Sequence, residues 1–193
     1  MSTAASPAPA ALPLGPGRWA LDPAHSSVVF SIRHLGLSKV WGRFDRIDAA
    51  LDVGDSVEDT TVEATIDMTS VDTNQPERDA HLRSTDFFDT DRQPQMRFRS
   101  TRIRSHGDSW LLEGEVTLNG ITRPMTLEVE FNGVETFPGR EAVHAGFSAS
   151  GEMKRSDFGI DFGILPIGID KVALADKVRF DLDLQFVAPP ALA

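Results

Sequence analysis

Residues 26 to 44 read SSVVFSIRHLGLSKVWGRF, and their apolar positions recur every second residue. Val28, Phe30 and Ile32 share one side, while Ser27, Ser31 and Arg33 fall mostly on the other. A period of two sends alternate side chains to opposite faces, so the stretch predicts a half-buried β-strand. A second run carries Val40, Gly42 and Phe44 against Trp41 and Arg43. His34 lands on the apolar side of the first run, an imidazole at the end of a greasy row. In that position a histidine either hydrogen-bonds a ligand's polar head or satisfies a nearby backbone carbonyl.

The same period repeats along the chain. TTVEATIDMTS places Val62, Ala64, Ile66 and Met68 inward, and QMRFRSTRI does so with Met96 and Phe98. WLLEGEVTLNG contributes Leu112, Val116 and Leu118, with Gly114 on that face marking a bulge, a bend or a close neighbour. PMTLEVEFNG adds Met125, Leu127, Val129 and Phe131; VHAGFSASGEM adds Val143, Ala145, Phe147 and Ala149; KVRFDLDLQF closes with Val178, Phe180, Leu182, Leu184 and Phe186. About eight strands result, and Asn119-Gly120 between two runs predicts a tight antiparallel hairpin. One helix is expected from about Gln75 to Ser84, with Asn74 as its cap, Pro76 in its first turn and Glu77 three residues beyond the cap. The fold class is all-β, either a sandwich or a closed barrel. Strands longer than the usual 5 to 6 residues favour closure, because long open edges invite aggregation. An eight-stranded barrel has room for interior side chains or for one small ligand.

Composition narrows the function. The 193 residues suit one domain, and 29 acidic against 19 basic side chains give a net charge of -10, which repels nucleic acid. Cysteine is absent, so thiolate metal sites and cysteine nucleophiles are excluded. Residues 1 to 17 read as a disordered leader interrupted by Pro7, Pro9, Pro13 and Pro16, residues 18 to 188 as the barrel domain, and 189 to 193 as a tail. The leader lacks a signal-peptide pattern and no run is long enough to span a bilayer, so a cytoplasmic protein is expected. Twelve phenylalanines occur without a tyrosine, so the interior offers no phenolic hydrogen bonds. Gly42, Ala64, Gly114, Ala145 and Ala149 interleave with larger groups, which fits an open channel as well as an interdigitated core.

Two segments concentrate polar chemistry. PERDAHLRSTDFFD brings Asp79, His81, Arg83 and Asp86 within two helical turns; carboxylate beside imidazole suits acid/base work, and Asp79 with Arg83 suits an ordinary surface ion pair. KRSDFGIDFG offers Arg155 to an anionic head group, or a turn stabilised by Ser156 and Asp157. His25, His34, His81, His106 and His144 show no metal-ligand spacing, and no nucleophile elbow, dinucleotide loop or phosphate loop occurs. No catalytic set, metal or cofactor is assigned.

The segments WALDPAHSSVVFSIRHLGLSKVWGRF, RDAHLRSTDFFD, LNGITRPMTLEV and RSDFGI, in that order from Trp19 to Phe186, resemble the YceI-like family of bacterial proteins. The resemblance implies a lipocalin-like, extended eight-stranded antiparallel barrel with one capping helix. It also implies an apolar tunnel for polyisoprenoids, isoprenoid quinones or fatty-acid derivatives. His34, Asp79, Leu82, Arg155, Asp157 and Phe158 fall on its motif positions. The resulting expectation is a carrier of an amphiphilic lipid, used in transport, storage or sequestration. Phe30, Phe98, Phe131, Phe147 and Phe180 line the tunnel, and His34, Arg155 and Asp79 serve the ligand's head. Many family members are periplasmic; homodimers and transient membrane contact are implied by resemblance alone. The rival expectation is a hydrolase or isomerase acting through Asp79, His81 or His34 on an amphiphilic substrate.

Overall fold

The computed structural model describes residues 12–136, 139, 142–163 and 173–190. Its strands are β1 (Gly17–Leu21), β2 (Ser27–His34), β3 (Ser38–Phe44), β4 (Ile47–Val53), β5 (Thr61–Asp67) and β6 (Val71–Asp72). They continue as β7 (Gln95–His106), β8 (Ser109–Leu118), β9 (Ile121–Thr136), β10 (Val143–Lys154) and β11 (Leu174–Val187). Every pairing is antiparallel, and β1 pairs with both β4 and β11. The sheet therefore closes as an eight-strand ring, β1-β4-β5-β7-β8-β9-β10-β11, with β2, β3 and β6 carrying three of its strands onward.

Three breaks explain eleven segments in a barrel of eight. Between β1 and β2 the chain makes a 3-10 turn over Pro23–His25, where the Asp22 carboxylate accepts the Ala24 N–H at 3.0 Å. Strand β11 follows the break, pairing Leu182 with Val28 on β2 and Phe186 with Leu21 on β1. The break between β3 and β4 lies beside the turn Met68–Ser70 that separates β5 from β6. There Asp67 N–H donates to the Arg46 carbonyl at 3.0 Å and Arg46 N–H donates to Ser70 Oγ at 3.0 Å.

The up-and-down course gives the barrel two unlike ends. At one end lie the β2–β3 hairpin, the helix α1 (Pro76–Arg83), the Asn119-Gly120 turn and the 3-10 turn Arg155–Phe158. This is the capped end. At the other, the terminal end, lie the start of β1, the 54–60 loop and the close of β11. Asn119 and Gly120 take φ of 52° and 73°, the positive values that a tight hairpin turn demands. The helix is capped by Gln75, whose side chain accepts the Arg78 N–H at 2.9 Å, one residue later than the sequence pattern places it. Asn74 instead has φ of 59° and turns the chain from β6 into the helix.

Aromatic and aliphatic side chains fill both ends. Phe30, Phe44, Met68, Leu118 and Phe158 form the cluster under the cap, with the Phe30 and Phe44 rings 5.2 Å apart. Trp19, Leu51, Phe147 and Phe186 form one terminal cluster, and Val57, Ile103, Trp110 and Leu112 another. Gly42 and Gly114 do not open a channel: a Cβ at Gly42 would collide with the Phe30 ring, and one at Gly114 with the Phe98 ring. Opposite Gly114 the register of β7 also shifts between Ser100 and Arg102, so the glycine marks a bulge and a close neighbour together. Among the described residues no helix is long and apolar enough to cross a membrane.

Candidate ligand tunnel

Between the two ends the barrel is hollow. The atom-free space inside, its mouth included, is about 1130 Å³, and every residue lining it is apolar. Small-molecule sites usually carry a few polar groups, so this void is unusually dry. A second space of about 520 Å³ lies under the cap, bordered by Phe30, Leu82, Phe87, Ile160 and the buried Arg155. Met96, Met153 and Phe180 border both spaces. Two flexible thioethers and a ring therefore stand between the two spaces, and thioethers are adaptable side chains.

The walls follow from strand alternation. Ala64 on β5, Phe98 on β7, Leu112 on β8, Leu127 on β9, Ala149 on β10 and Leu184 on β11 all face the larger space. Leu12 lines it as well. Residues 12 to 16, which the proline pattern assigns to the leader, therefore touch the barrel: Trp19 Nε1 donates to the Gly15 carbonyl at 2.9 Å, and Leu12 and Leu14 pack on the terminal clusters. Residues 1–11 and 191–193 lie outside the described residues.

Of the expected lining residues, Phe98, Phe147 and Phe180 border the larger space, and Phe30 with Phe180 the smaller one. Phe131 borders neither and packs against Phe147 with centroids 5.3 Å apart. Ala149 and Ala64 line the void, whereas Ala145 is fully buried in the wall.

The polar candidates are held elsewhere. His34 is exposed at the hairpin end, and its carbonyl accepts the Leu37 N–H at 3.0 Å; it borders neither space. Its apolar-face position is a strand end in solvent, because the cap closes over Ile32 and not over the residues beyond. Asp79 is buried and accepts both the N–H (2.9 Å) and the hydroxyl of Thr73, which ties the helix to the end of β6. Arg83 reaches the Thr69 carbonyl at 3.5 Å, so the Asp79–Arg83 surface ion pair suggested by their spacing is not formed. His81 instead pairs with Asp86 at 2.8 Å, half-exposed, with its ring edge-on to Phe87 and Phe162. Neither member of that pair borders the tunnel.

Arg155 donates Nε to the Ala175 carbonyl (2.8 Å), Nη1 to Ile160 (2.8 Å) and Nη2 to Leu174 (3.0 Å). Burial pushes its pKa down, with Asp176 and Asp161 opposing. Its charge is thus engaged in fastening the 155–160 turn to the start of β11, and only the side chain's apolar contact with the smaller space remains. Ser156 N–H and hydroxyl both donate to Asp176 at 2.9 Å, so Asp176 and not Asp157 stabilises this turn. Among the described residues no three His, Asp or Glu side chains gather as a metal site.

Sequence reasoning missed Trp110, Met153 and Leu51 as wall residues, whereas Met96 stands on the inward face that it assigned. Trp110 was within reach, since it precedes Leu112 by two and shares its face. Leu51 was not: in IDAALDV both Ala50 and Leu51 are buried, which breaks the alternation that identifies a strand.

Solved structures share this architecture. BcnA of Burkholderia cenocepacia superposes with a TM-score of 0.71 at 22% identity over 86% of this chain and 98% of that one. The YCEI protein of Campylobacter jejuni gives 0.67 at 26% identity over 82% and 90%. A domain from Saccharophagus degradans, described as polyisoprenoid binding and implicated in plant cell wall breakdown, gives 0.63 at 16% identity over 89% and 98%. In sequence, Protein YceI of Shigella flexneri is 42% identical over 159 residues, 80% of this chain and 82% of its own. The UPF0312 protein plu2095 of Photorhabdus laumondii is 38% identical over 135 residues, 69% and 70% of the two chains. With the YceI-like domain matched across residues 19–186, which reaches from the first strand of the barrel into its last, this chain belongs to the YceI-like family.

Proposed function

We infer that the tunnel holds one long apolar chain, a polyisoprenoid or similar amphiphile, and shields it from water for transport, storage or sequestration. The observation that carries this reading is an open space inside the barrel walled by apolar side chains. Each buried methylene contributes about 0.8 kcal/mol, so a chain of a few isoprene units binds without directed polar contacts. The polyisoprenoid-binding description of the Saccharophagus degradans domain, a likeness of shape, agrees with it. Family and fold point to a binding protein rather than an enzyme. The exposed His81–Asp86 pair lies outside the tunnel, where it would not meet an enclosed chain.

The test is native mass spectrometry of the purified protein and of Ala149→Trp, each incubated with a polyisoprenoid and then extracted with solvent. Ala149 faces the void, so an indole there fills it. A stoichiometric adduct on the parent protein and none on the folded variant is the expected result. An adduct that persists in Ala149→Trp places the lipid outside the barrel and overturns the reading.

A further inference from the structure

Above the closed ring, at the capped end, part of β3 has a neighbour on one side only. It pairs with β2 along its whole length, from Phe44 opposite Val28 to Ser38 opposite His34, but on its other side it meets β6 at Arg43 and Phe44 alone. The second ladder stops because the chain leaves β6. Asn74 turns away with φ of 59°, its N–H donates to the Asp72 carboxylate, and the Thr73 N–H donates to Asp79. Among the described residues no other strand takes up the free side of Ser38 to Trp41.

The backbone groups on that side follow from the bonds near the end of the strand. The Asp45 N–H donates to the Ser70 carbonyl, toward β6, and Arg43 stands opposite Asp72. In an antiparallel ladder a residue's N–H and C=O point the same way and successive residues alternate. Trp41 and Lys39 therefore continue the row of Asp45 and Arg43 and present two donors and two acceptors to the open edge. A groove on the outer surface runs beside it, walled by Lys39, Trp41 and Arg43 of β3 and by Asp72, Asn74 and Arg78 where β6 leads into α1. Trp41 is 51% exposed, with Lys39 Nζ 5.4 Å from the centre of its ring. Arg43 is paired with Asp45 and Asp72. Lys39 and Arg78 meet no carboxylate among the described residues: the guanidinium of Arg78 donates to Thr73, and Lys39 faces Arg33 across the hairpin.

We propose that this edge accepts an added strand from an acidic partner protein: an extended segment whose backbone pairs with Lys39 and Trp41 and whose alternate carboxylates meet Lys39, Arg33 and Arg78. Strand addition draws its affinity from main-chain bonds and its specificity from alternate side chains. Charge selects the occupant. A second copy laid edge to edge would bring its own Lys39 and Arg33 to the same place, and a lysine on an edge is a common guard against such pairing. Carboxylates answer those cations instead. The edge and its groove lie on the outer surface, apart from the tunnel, so the proposal stands whatever the tunnel holds.

The probe is a capped heptapeptide of alternating glutamate and valine, titrated into the full chain while NMR follows the backbone amide signals and their hydrogen exchange. Two control peptides accompany it. One carries glutamine for every glutamate; the other keeps the acidic sequence but is N-methylated at every residue, which removes its main-chain donors. The acidic peptide is expected to shift the Lys39 and Trp41 amides and slow their exchange. It should bind about two- to tenfold more tightly than the glutamine peptide at low salt, the worth of one or two exposed ion pairs, and lose that margin at high salt. The N-methylated peptide should leave both amides unprotected. Lys39→Glu, at an exposed position, should keep the fold and no longer prefer the acidic peptide. An acidic peptide that leaves the two amides unprotected, or an N-methylated one that binds as well, overturns strand addition. Protection already present in the free protein and lost on dilution gives the edge to a second copy. Protection by vesicles rich in phosphatidylglycerol but not by the peptide gives it to a lipid surface, and either result overturns the proposal.

Discussion

Asp79 and Asp67 show two carboxylates whose work is structural. Asp79 is 8% exposed and accepts the Thr73 N–H and hydroxyl, while Arg78 from the same helix donates to Thr73 Oγ1 (2.7 Å) and to its carbonyl (2.8 Å). Replacing Asp79 by Ala leaves a buried N–H and hydroxyl unanswered. Urea unfolding should show a loss of about 1 to 3 kcal/mol, with binding of an apolar dye to the folded variant unchanged. Asp67 is subject to desolvation, which raises its pKa, but hydrogen bonds from Thr69 and Arg46 outweigh it and hold the carboxyl below its ordinary value. A carboxyl depressed in the folded state contributes stability that is present above its unfolded pKa of about 3.9 and is lost as pH falls through the lower folded value. Thermal melts between pH 7 and pH 3 should therefore fall on the acid side, and Asp67→Asn should be less stable at pH 7 with a flatter acid arm. Equal acid arms in the two proteins would show that Asp67 carries no such linkage. Neither role was legible in the sequence. The spacing of Asp79 and Arg83 is equally good for a helix-surface pair, and only the return of β6 beside the helix brings Thr73 within reach.

At the scale of elements, the β2–β3 hairpin stands apart from an acidic protein. Arg33 to Lys39 reads RHLGLSK, wholly exposed and without an acidic residue, in a chain of net charge -10. Leu37 is 81% exposed and Leu35 46% at its tip, beside the capped end of the tunnel. Two exposed leucines flanked by Arg33 and Lys39 would suit an anionic bilayer surface, where basic groups are worth roughly 1 kcal/mol each and leucines reach the acyl boundary. Sedimentation with vesicles rich in phosphatidylglycerol should carry the protein down at low salt and release it at high salt. Leu35→Glu with Leu37→Glu should abolish that binding without lowering the melting temperature, because neither side chain contributes to the core. Retention of vesicle binding by the double variant would exclude the hairpin. The strands were legible because Val28, Phe30 and Ile32 alternate cleanly. The lining was only half legible, because alternation tells which residues point inward but not which meet a void. Phe98 both borders the cavity and fills the place of a side chain at Gly114, and Phe131 points inward only to be covered by Phe147.

For the whole molecule, closure and hollowness pull against each other. The ring removes sheet edges by pairing β1 with β11, yet that pairing spans only Ala20 with Val187 and Leu21 with Phe186. The same barrel forgoes the packing that a filled interior of this size would supply, since atoms facing a void lack dispersion partners on one side. A chain bound there would restore those contacts and brace the walls that meet at the seam, Phe186 among them, because it also lines the cavity. Ligand that binds only the folded state at 100 times its Kd adds about 2.7 kcal/mol, and a domain of this length gains about 2 to 4 °C per kcal/mol. Protein stripped of lipid and then reloaded with a polyisoprenoid should thus melt about 5 to 10 °C higher than the stripped form. Ala149→Trp should behave oppositely: its interior is already occupied, so its melting temperature should not respond to added lipid. A parent protein whose stripped and reloaded forms melt together would mean that the tail does not enter the barrel, because enclosure by these walls cannot leave the folded state's free energy unchanged.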